Sequence, residues 1–147
     1  MANYRDINIS DAPFLAGVDL TAKQYYFVAP GSVAGEVIVA VGPSGNPWPL
    51  GILQNTPSSG QEAQVRTLGF SKCVVEANTC AAAWGRWLAV ASDGQAEPFA
   101  TEGLLAHNGS NVGARFMDSG TITTGSAIAQ VQIFFKIEGV CGYMAAS

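Results

Sequence analysis

Turn-forming residues interrupt this chain at short intervals along almost its whole length. It contains 17 glycines and 7 prolines, and these cluster with Asn, Asp and Ser at residues 30–32, 42–47, 57–60, 92–94, 108–111 and 118–120. No window between the clusters keeps the i, i+3, i+4, i+7 apolar pattern of a helix for three turns. Short strands at this spacing are typical of a β-sandwich or a small barrel. We therefore predict a mainly β fold, a compact small β-barrel or β-sandwich with at most one short helix, near residues 79–87.

Eight segments have the composition of strands. They are residues 25–29, 36–41, 50–54, 63–68, 72–76, 88–91, 112–117 and 127–137. The best specified stretch, residues 49–72, is interpreted as strand, turn and strand, because an apolar segment enters an Asn, Pro, Ser and Gly connection and an alternating segment leaves it. In the last segment, Val131 and Ile133 are predicted to face the core and Gln130 and Gln132 to face outwards. Phe134 falls on the polar side, where an aromatic residue is expected to contact a neighbouring chain or the edge of the core and not open water.

The two ends of the chain are predicted to lie outside the β domain. Residues 1–17 combine Tyr4, Ile7 and Phe14 with polar and turn residues, which suits an N-terminal arm that packs on something other than its own core. Residues 139–147 are interpreted as a C-terminal tail. The intervening residues 18–138 form one β domain, since a chain of 147 residues is long enough for a single substantial core.

The chain carries unusually little charge for a protein with a water-facing surface. Charged residues make up 12% of it and hydrophobic residues 48%, with a mean hydropathy of +0.22, whereas soluble domains have about 25% charged residues. Either a membrane or other chains should therefore cover much of its surface. No segment approaches the roughly 18 apolar residues of a spanning helix, so we expect protein assembly and no membrane contact.

The charge distribution argues against nucleic-acid binding, and the N-terminal sequence argues against export. The net charge is −4 and the basic residues are scattered singly, whereas nucleic-acid binders collect Lys and Arg on one face. We therefore expect no nucleic-acid partner. The polar N-terminus lacks the basic region and apolar core of an export signal, so we expect synthesis in the cytoplasm.

No pattern of reactive residues stands out, and we expect neither an enzyme nor a metal or cofactor site. The single histidine, His107, has no Cys or acidic cluster at ligand spacing, and no serine has a Gly-Xaa-Ser-Xaa-Gly setting. Glu97 and Glu102 are the best carboxylates for glycoside hydrolysis, but both are interpreted as solvated loop charges. Cys73 and Cys80 are expected to be buried thiols.

The three tryptophans are assigned by their sequence context. Trp84 and Trp87 are predicted to be core or interface residues. Trp48 lies between two prolines and is the better candidate for an exposed contact.

The order of four segments resembles the capsid cement, or head decoration, proteins of tailed bacteriophages. The segments are residues 19–28, 49–72, 83–96 and 112–117, and the resemblance spans roughly residues 17 to 135. It implies a compact β domain without enzymatic activity that sits on the outside of the phage head, commonly as a trimer. The chain departs from the pattern in the 17-residue arm, in the loop at 99–111 and in the tail after Lys136.

These observations lead to one main hypothesis and one alternative. The chain is predicted to be a capsid decoration protein of the virion surface, a homotrimer that bridges subunits of the major capsid protein. The alternative is a carbohydrate- or receptor-binding β module of a virion fibre, with Trp48 and residues 99–111 as contacts. The candidate interface residues are Tyr4, Ile7, Phe14, Trp48 and Phe134. Removing residues 1–17 is expected to weaken capsid binding and to leave melting nearly unchanged.

Overall fold

A computed structural model of the chain describes residues 9–41, 49–77, 80–98 and 112–133. Within these ranges the secondary structure consists of nine strands and no helix, which confirms the mainly β fold. The strands are β1 (Ser10–Ala16), β2 (Phe27–Pro30), β3 (Glu36–Val39), β4 (Gly51–Leu53), β5 (Glu62–Ala77), β6 (Trp87–Val90), β7 (Ala96–Pro98), β8 (Val112–Phe116) and β9 (Gly125–Ile133).

The strands close into two rings that share the long strand β5. The first barrel has the order β1-β3-β2-β4-β5, and β5 pairs back with β1 to close it. The second barrel has the order β5-β7-β6-β8-β9, and β9 pairs back with β5. Every described strand thus has a neighbour on both sides, so closure leaves no strand entirely unpaired along one edge.

Strand β5 passes from one barrel to the other at Gly69. Its pairing with β1 ends at Leu68, and its pairing with β9 begins at Gly69. The φ angle of Gly69 is 95°, a conformation that glycine adopts without steric cost. The sequence predicts separate strands at 63–68 and 72–76, but the structure has a single strand of 16 residues that continues through Gly69.

Strands β2 and β4 separate two hydrophobic cores. Phe27 and Ile52 pack into the core of the second barrel, whereas Val28 and Leu53 pack into the core of the first. Both faces of these short strands are therefore buried. This arrangement explains why their sequences are unbroken apolar runs without alternation.

The second half of the predicted N-terminal arm belongs to the sheet. Strand β1 pairs antiparallel with β5 and parallel with β3. Ala16 is buried, and Phe14 packs against the first core. The alternation of this strand is short and contains Pro13, which weakens the sequence signal for a strand. Residues 10–16 therefore differ from the expected arm, while residues 1–8 and the predicted tail at 139–147 lie outside the described residues.

The buried thiol of Cys73 provides a test of the second core. Its side chain is fully buried, and desolvation raises the pKa of the thiol well above its usual range. Because the thiolate is the reactive form, we expect Cys73 in the native protein to resist iodoacetamide at pH 8 and to react readily in guanidinium chloride. Peptide mass spectrometry measures this difference.

Cys80 is the internal control for that experiment. It is half-buried, and its Sγ lies 3.3 Å from the carbonyl oxygen of Pro98. Cys80 is less buried than Cys73, so we expect Cys80 to be alkylated first. Equal native and denatured labelling rates at Cys73 would contradict its burial.

Candidate interaction face

The described residues do not bring together the groups that a metal site needs. No group of three or more His, Cys, Asp or Glu side chains in them is placed to hold a metal ion. No described helix is long and apolar enough to cross a membrane. Glu97 lies half-buried in β7, while Glu102 and His107 fall outside the described ranges. The feature that most needs an explanation is a surface.

This surface is the outer face of the second barrel, formed by side chains that point away from its core. Its members lie on β5, β6, β8 and β9 and include Phe70, Lys72, Val74, Glu76, Trp87, Arg115, Ile128, Gln130 and Gln132. One row crosses all four strands, because Trp87 pairs with Arg115, Arg115 with Gln132, and Gln132 with Phe70. The predicted alternation of β9 is confirmed, since Val131 and Ile133 are buried. Phe134 lies outside the described residues.

An open groove of about 480 Å³ borders one side of the outer face. Ile9, Phe70 and Ile128 supply its apolar lining, and Ile128 is 57% exposed. Lys72 also lines the groove, and its ammonium nitrogen lies 5.8 Å from the centre of the Tyr25 ring. The groove therefore combines exposed aliphatic side chains with a cation.

The carboxylates beside the groove bind groups of this chain. Asp11 forms an ion pair of 2.7 Å with Arg66, and this hydrogen bond lowers the pKa of Asp11. Asp118 accepts hydrogen bonds from the backbone N–H groups of Gly120 and Gln130, each at 3.2 Å, and they lower its pKa. These two acids therefore fix β1 and the 118–120 turn, and Asp118 places a negative charge in the lining of the groove.

A second feature at the β6 side of the face is formed by Trp84, Arg86, Trp87 and Arg115, which we call the tryptophan platform. Trp84 stands at the tip of a turn and is 65% exposed. The guanidinium of Arg115 lies 5.3 Å from the centre of the Trp87 ring, within the range of a cation–π interaction. The platform thus presents two indoles and two guanidinium groups.

Backbone hydrogen bonds hold the turn that carries Trp84. The N–H of Gly85 donates to the carbonyl of Phe116, and the N–H of Phe116 donates to the carbonyl of Arg86, both at 2.8 Å. The Nε of Arg115 donates to the carbonyl of Gly85 at 2.9 Å. The φ angle of Gly85 is 78°, which favours glycine at this position. Trp84 is therefore exposed on an ordered turn, where the sequence predicts a core or interface residue and permits a helical turn.

Of the five predicted contact residues, Phe14 alone lies within the described ranges. Tyr4, Ile7, Trp48 and Phe134 lie outside the described residues. Phe14 is half-buried against the first core and is therefore a packing residue of this chain. Sequence reasoning gave Trp84 less weight than Trp48, although the neighbouring Gly85 was a signal that residues 83–86 form a turn.

Comparison with known proteins adds a structural neighbour. No protein-family profile matches the chain, and no curated protein matches it. Among solved structures, the chain is similar to the crystal structure of the head fiber gp8.5 N base in bacteriophage phi29. The identity is 15%, the TM-score is 0.55, and the match covers 86% of this chain and 95% of that one. The two proteins therefore share a fold over nearly the full length of the phi29 domain.

Proposed function

We propose that this chain is a structural protein of a tailed-bacteriophage virion that binds the outer surface of the head. The observation that carries the proposal is the shared fold with the N base of a phage head fiber, which covers 86% of this chain. In its specific form the proposal is a decoration protein that stabilises the head by bridging subunits of the major capsid protein. The resemblance to decoration proteins in segments 19–28, 49–72, 83–96 and 112–117 is an independent argument for that form.

The surface of the described residues fits a protein that is covered by partners. Large apolar side chains are exposed at eight positions: Ile9, Leu15, Val18, Val33, Val41, Leu68, Trp84 and Ile128. Several of them lie on or beside the outer face of the second barrel. Aromatic residues and Arg are enriched at protein interfaces, and the tryptophan platform contains both. Head binding would cover this area.

Binding to heads is the direct test of the proposal. Purified protein should co-sediment with expanded heads assembled from the major capsid protein of the phage that encodes it. It should also raise the temperature at which those heads rupture, because bridging subunits resists their separation. Unexpanded heads and an unrelated β protein of similar size are the controls. Absence of binding to expanded heads would exclude the proposed function.

The proposed homotrimer has its own measurement. Sedimentation equilibrium of the free protein and the stoichiometry of the decorated head should both give three chains per site. A specific interface of this kind buries more than roughly 1,000 Å². A monomer both in solution and on the head would contradict the trimer without excluding head binding.

A carbohydrate- or receptor-binding module of a virion fibre is the second candidate. The specific observation in its favour is the exposed Trp84 indole, since an aromatic face can stack on a sugar ring. Residues 99–111 and Trp48, which sequence reasoning proposes for this role, lie outside the described residues. A glycan array probed with the purified protein separates this candidate from the head-binding one.

A further inference from the structure

Among the described residues, no carboxylate pairs with the arginines of the tryptophan platform as Asp11 pairs with Arg66. Within the described ranges, the side chain of Arg115 makes one hydrogen bond, from Nε to the carbonyl of Gly85, and its terminal nitrogens have no acceptor. The Nη1 of Arg86 donates to the carbonyl of Ala81 at 3.4 Å. The one ion pair among the described residues is that of Arg66 with Asp11. The platform is therefore locally cationic on a chain whose net charge is −4.

The guanidinium of Arg115 is held in a fixed position before any ligand binds. The Trp87 ring and the Gly85 carbonyl hold its guanidinium in place, so little side-chain entropy remains to be lost when a ligand arrives. The planar fork of a guanidinium fits a carboxylate through two parallel hydrogen bonds. Trp84 adds a large apolar surface on the same turn. Ordered Trp and Arg residues that lie together are typical of binding hot spots.

The chemistry of the platform favours a protein partner over a saccharide. Arg and Trp side chains are hydrogen-bond donors and have no acceptor atom. Sugar hydroxyls need acceptors as well as donors, whereas a carboxylate needs donors alone. The four side chains of the platform therefore complement a carboxylate that lies next to an apolar group.

We propose that the tryptophan platform docks a segment of the major capsid protein in which an Asp or Glu lies beside an apolar side chain. Arg115 binds the carboxylate, and Trp84 covers the apolar neighbour. This inference rests on the proposed head-binding function and specifies which surface makes the contact and what its partner carries.

Two substitutions with matched controls test the contact on expanded heads. Trp84→Ala removes the exposed indole, and its control is Val33→Ala, because Val33 is 57% exposed on the first barrel. Arg115→Gln removes the cation, and its control is Lys23→Gln, because Lys23 also stacks on an aromatic ring, with its Nζ 4.4 Å from the centre of Tyr26. We expect Trp84→Ala and Arg115→Gln to weaken head binding by about 10-fold or more each, and the two controls to bind like the wild type.

The salt dependence and the melting temperature exclude simpler explanations. Arg115→Gln should flatten the fall of affinity with ionic strength, since one ion pair is lost, whereas Trp84→Ala should keep the wild-type slope. If Arg115→Gln lowers the melting temperature through loss of its bond to Gly85, the comparison of Trp84→Ala with Trp84→Phe decides the question. Phe retains an aromatic surface and should recover part of the affinity.

The outcomes separate this inference from the function on which it rests. If the wild type binds heads and both platform variants bind equally well, the platform inference is overturned and head binding stands. If the wild type does not bind heads, both fall. If Trp84→Ala abolishes binding on a glycan array and leaves head binding unchanged, the platform is a saccharide site and the inference is wrong.

Discussion

Replacing Gly94 by alanine should lower the free energy of unfolding by about 3 kcal/mol or more, an effect of the size that overpacking at a fixed backbone produces. The φ angle of Gly94 is 89°, which side chains rarely adopt. A Cβ atom there would overlap Cγ1 of Val39 and would lie 3.2 Å from the carbonyl oxygen of Ala40 and 3.3 Å from that of Phe27. The backbone cannot easily move away, because the carbonyl of Gly94 accepts a 2.8 Å hydrogen bond from the N–H of Phe27.

Gly60 supplies the matched control for this substitution. Its φ angle is 80°, and nothing lies within 4 Å of the Cβ that alanine would add. Gly60→Ala should therefore lower the free energy of unfolding by only about 1 kcal/mol, which is the cost of a side chain at a positive φ angle. Guanidinium chloride titrations of both variants give the difference, which measures the steric contact between the 91–95 turn and strands β2 and β3. If both variants lose the same free energy of unfolding, the atoms around Gly94 move away from the new methyl group, and only the backbone conformation determines the loss.

The position of Gly94 shows what the sequence could and could not predict. Ser, Asp and Gly at residues 92–94 are turn residues, and the structure has a turn there. The contact of that turn with Phe27 and Ala40 joins segments more than 50 residues apart, and local composition has no information about it. Turns and most strands therefore followed from the sequence, because turn chemistry and alternation are local properties.

Strand pairing was harder to predict from the sequence, because it also joins segments that are far apart along the chain. The antiparallel pairing of β4 with β5 followed from the strand, turn and strand pattern of residues 49–72. The closure of the first barrel by β1 did not, because Ser10 pairs with Leu68, which lies more than 50 residues further along the chain. Strand β7 was also missed, since three residues that include Pro98 give no periodic signal.

The position of the candidate site did not follow from the sequence. The low charge led to the prediction that other chains cover much of the surface, and that prediction remains to be tested. The exposure of Trp84 depends on the pairing of residues 85 and 86 with Phe116, a tertiary feature that fixes the turn outside the barrel. The stacking of Arg115 on Trp87 likewise requires β6 and β8 to be neighbours. Neither arrangement is encoded within the local segment 83–87.

Deleting residues 1–17 should destabilise the protein by about 4 kcal/mol or more, since it removes a whole strand with its hydrogen bonds and its buried side chains. The carbonyls of Gly35, Gln61 and Val37 would lose the N–H donors of Leu15, Ala16 and Gly17, now at 2.8 to 2.9 Å. The first core would lose Phe14 and Ala16. The sequence-based expectation that this truncation leaves melting nearly unchanged is therefore replaced by a large loss.

Deleting only residues 1–8 is the control that separates stability from binding. This shorter deletion keeps β1 and the ion pair between Asp11 and Arg66, so its melting temperature should stay within a few degrees of the wild type. It still removes Tyr4 and Ile7, and a loss of head binding by this variant alone would assign a contact role to them. The longer deletion leaves the facing edges of β3 and β5 unpaired and should aggregate, because an open strand edge is a template for further pairing. A soluble 18–147 fragment with unchanged melting would contradict the closed first barrel.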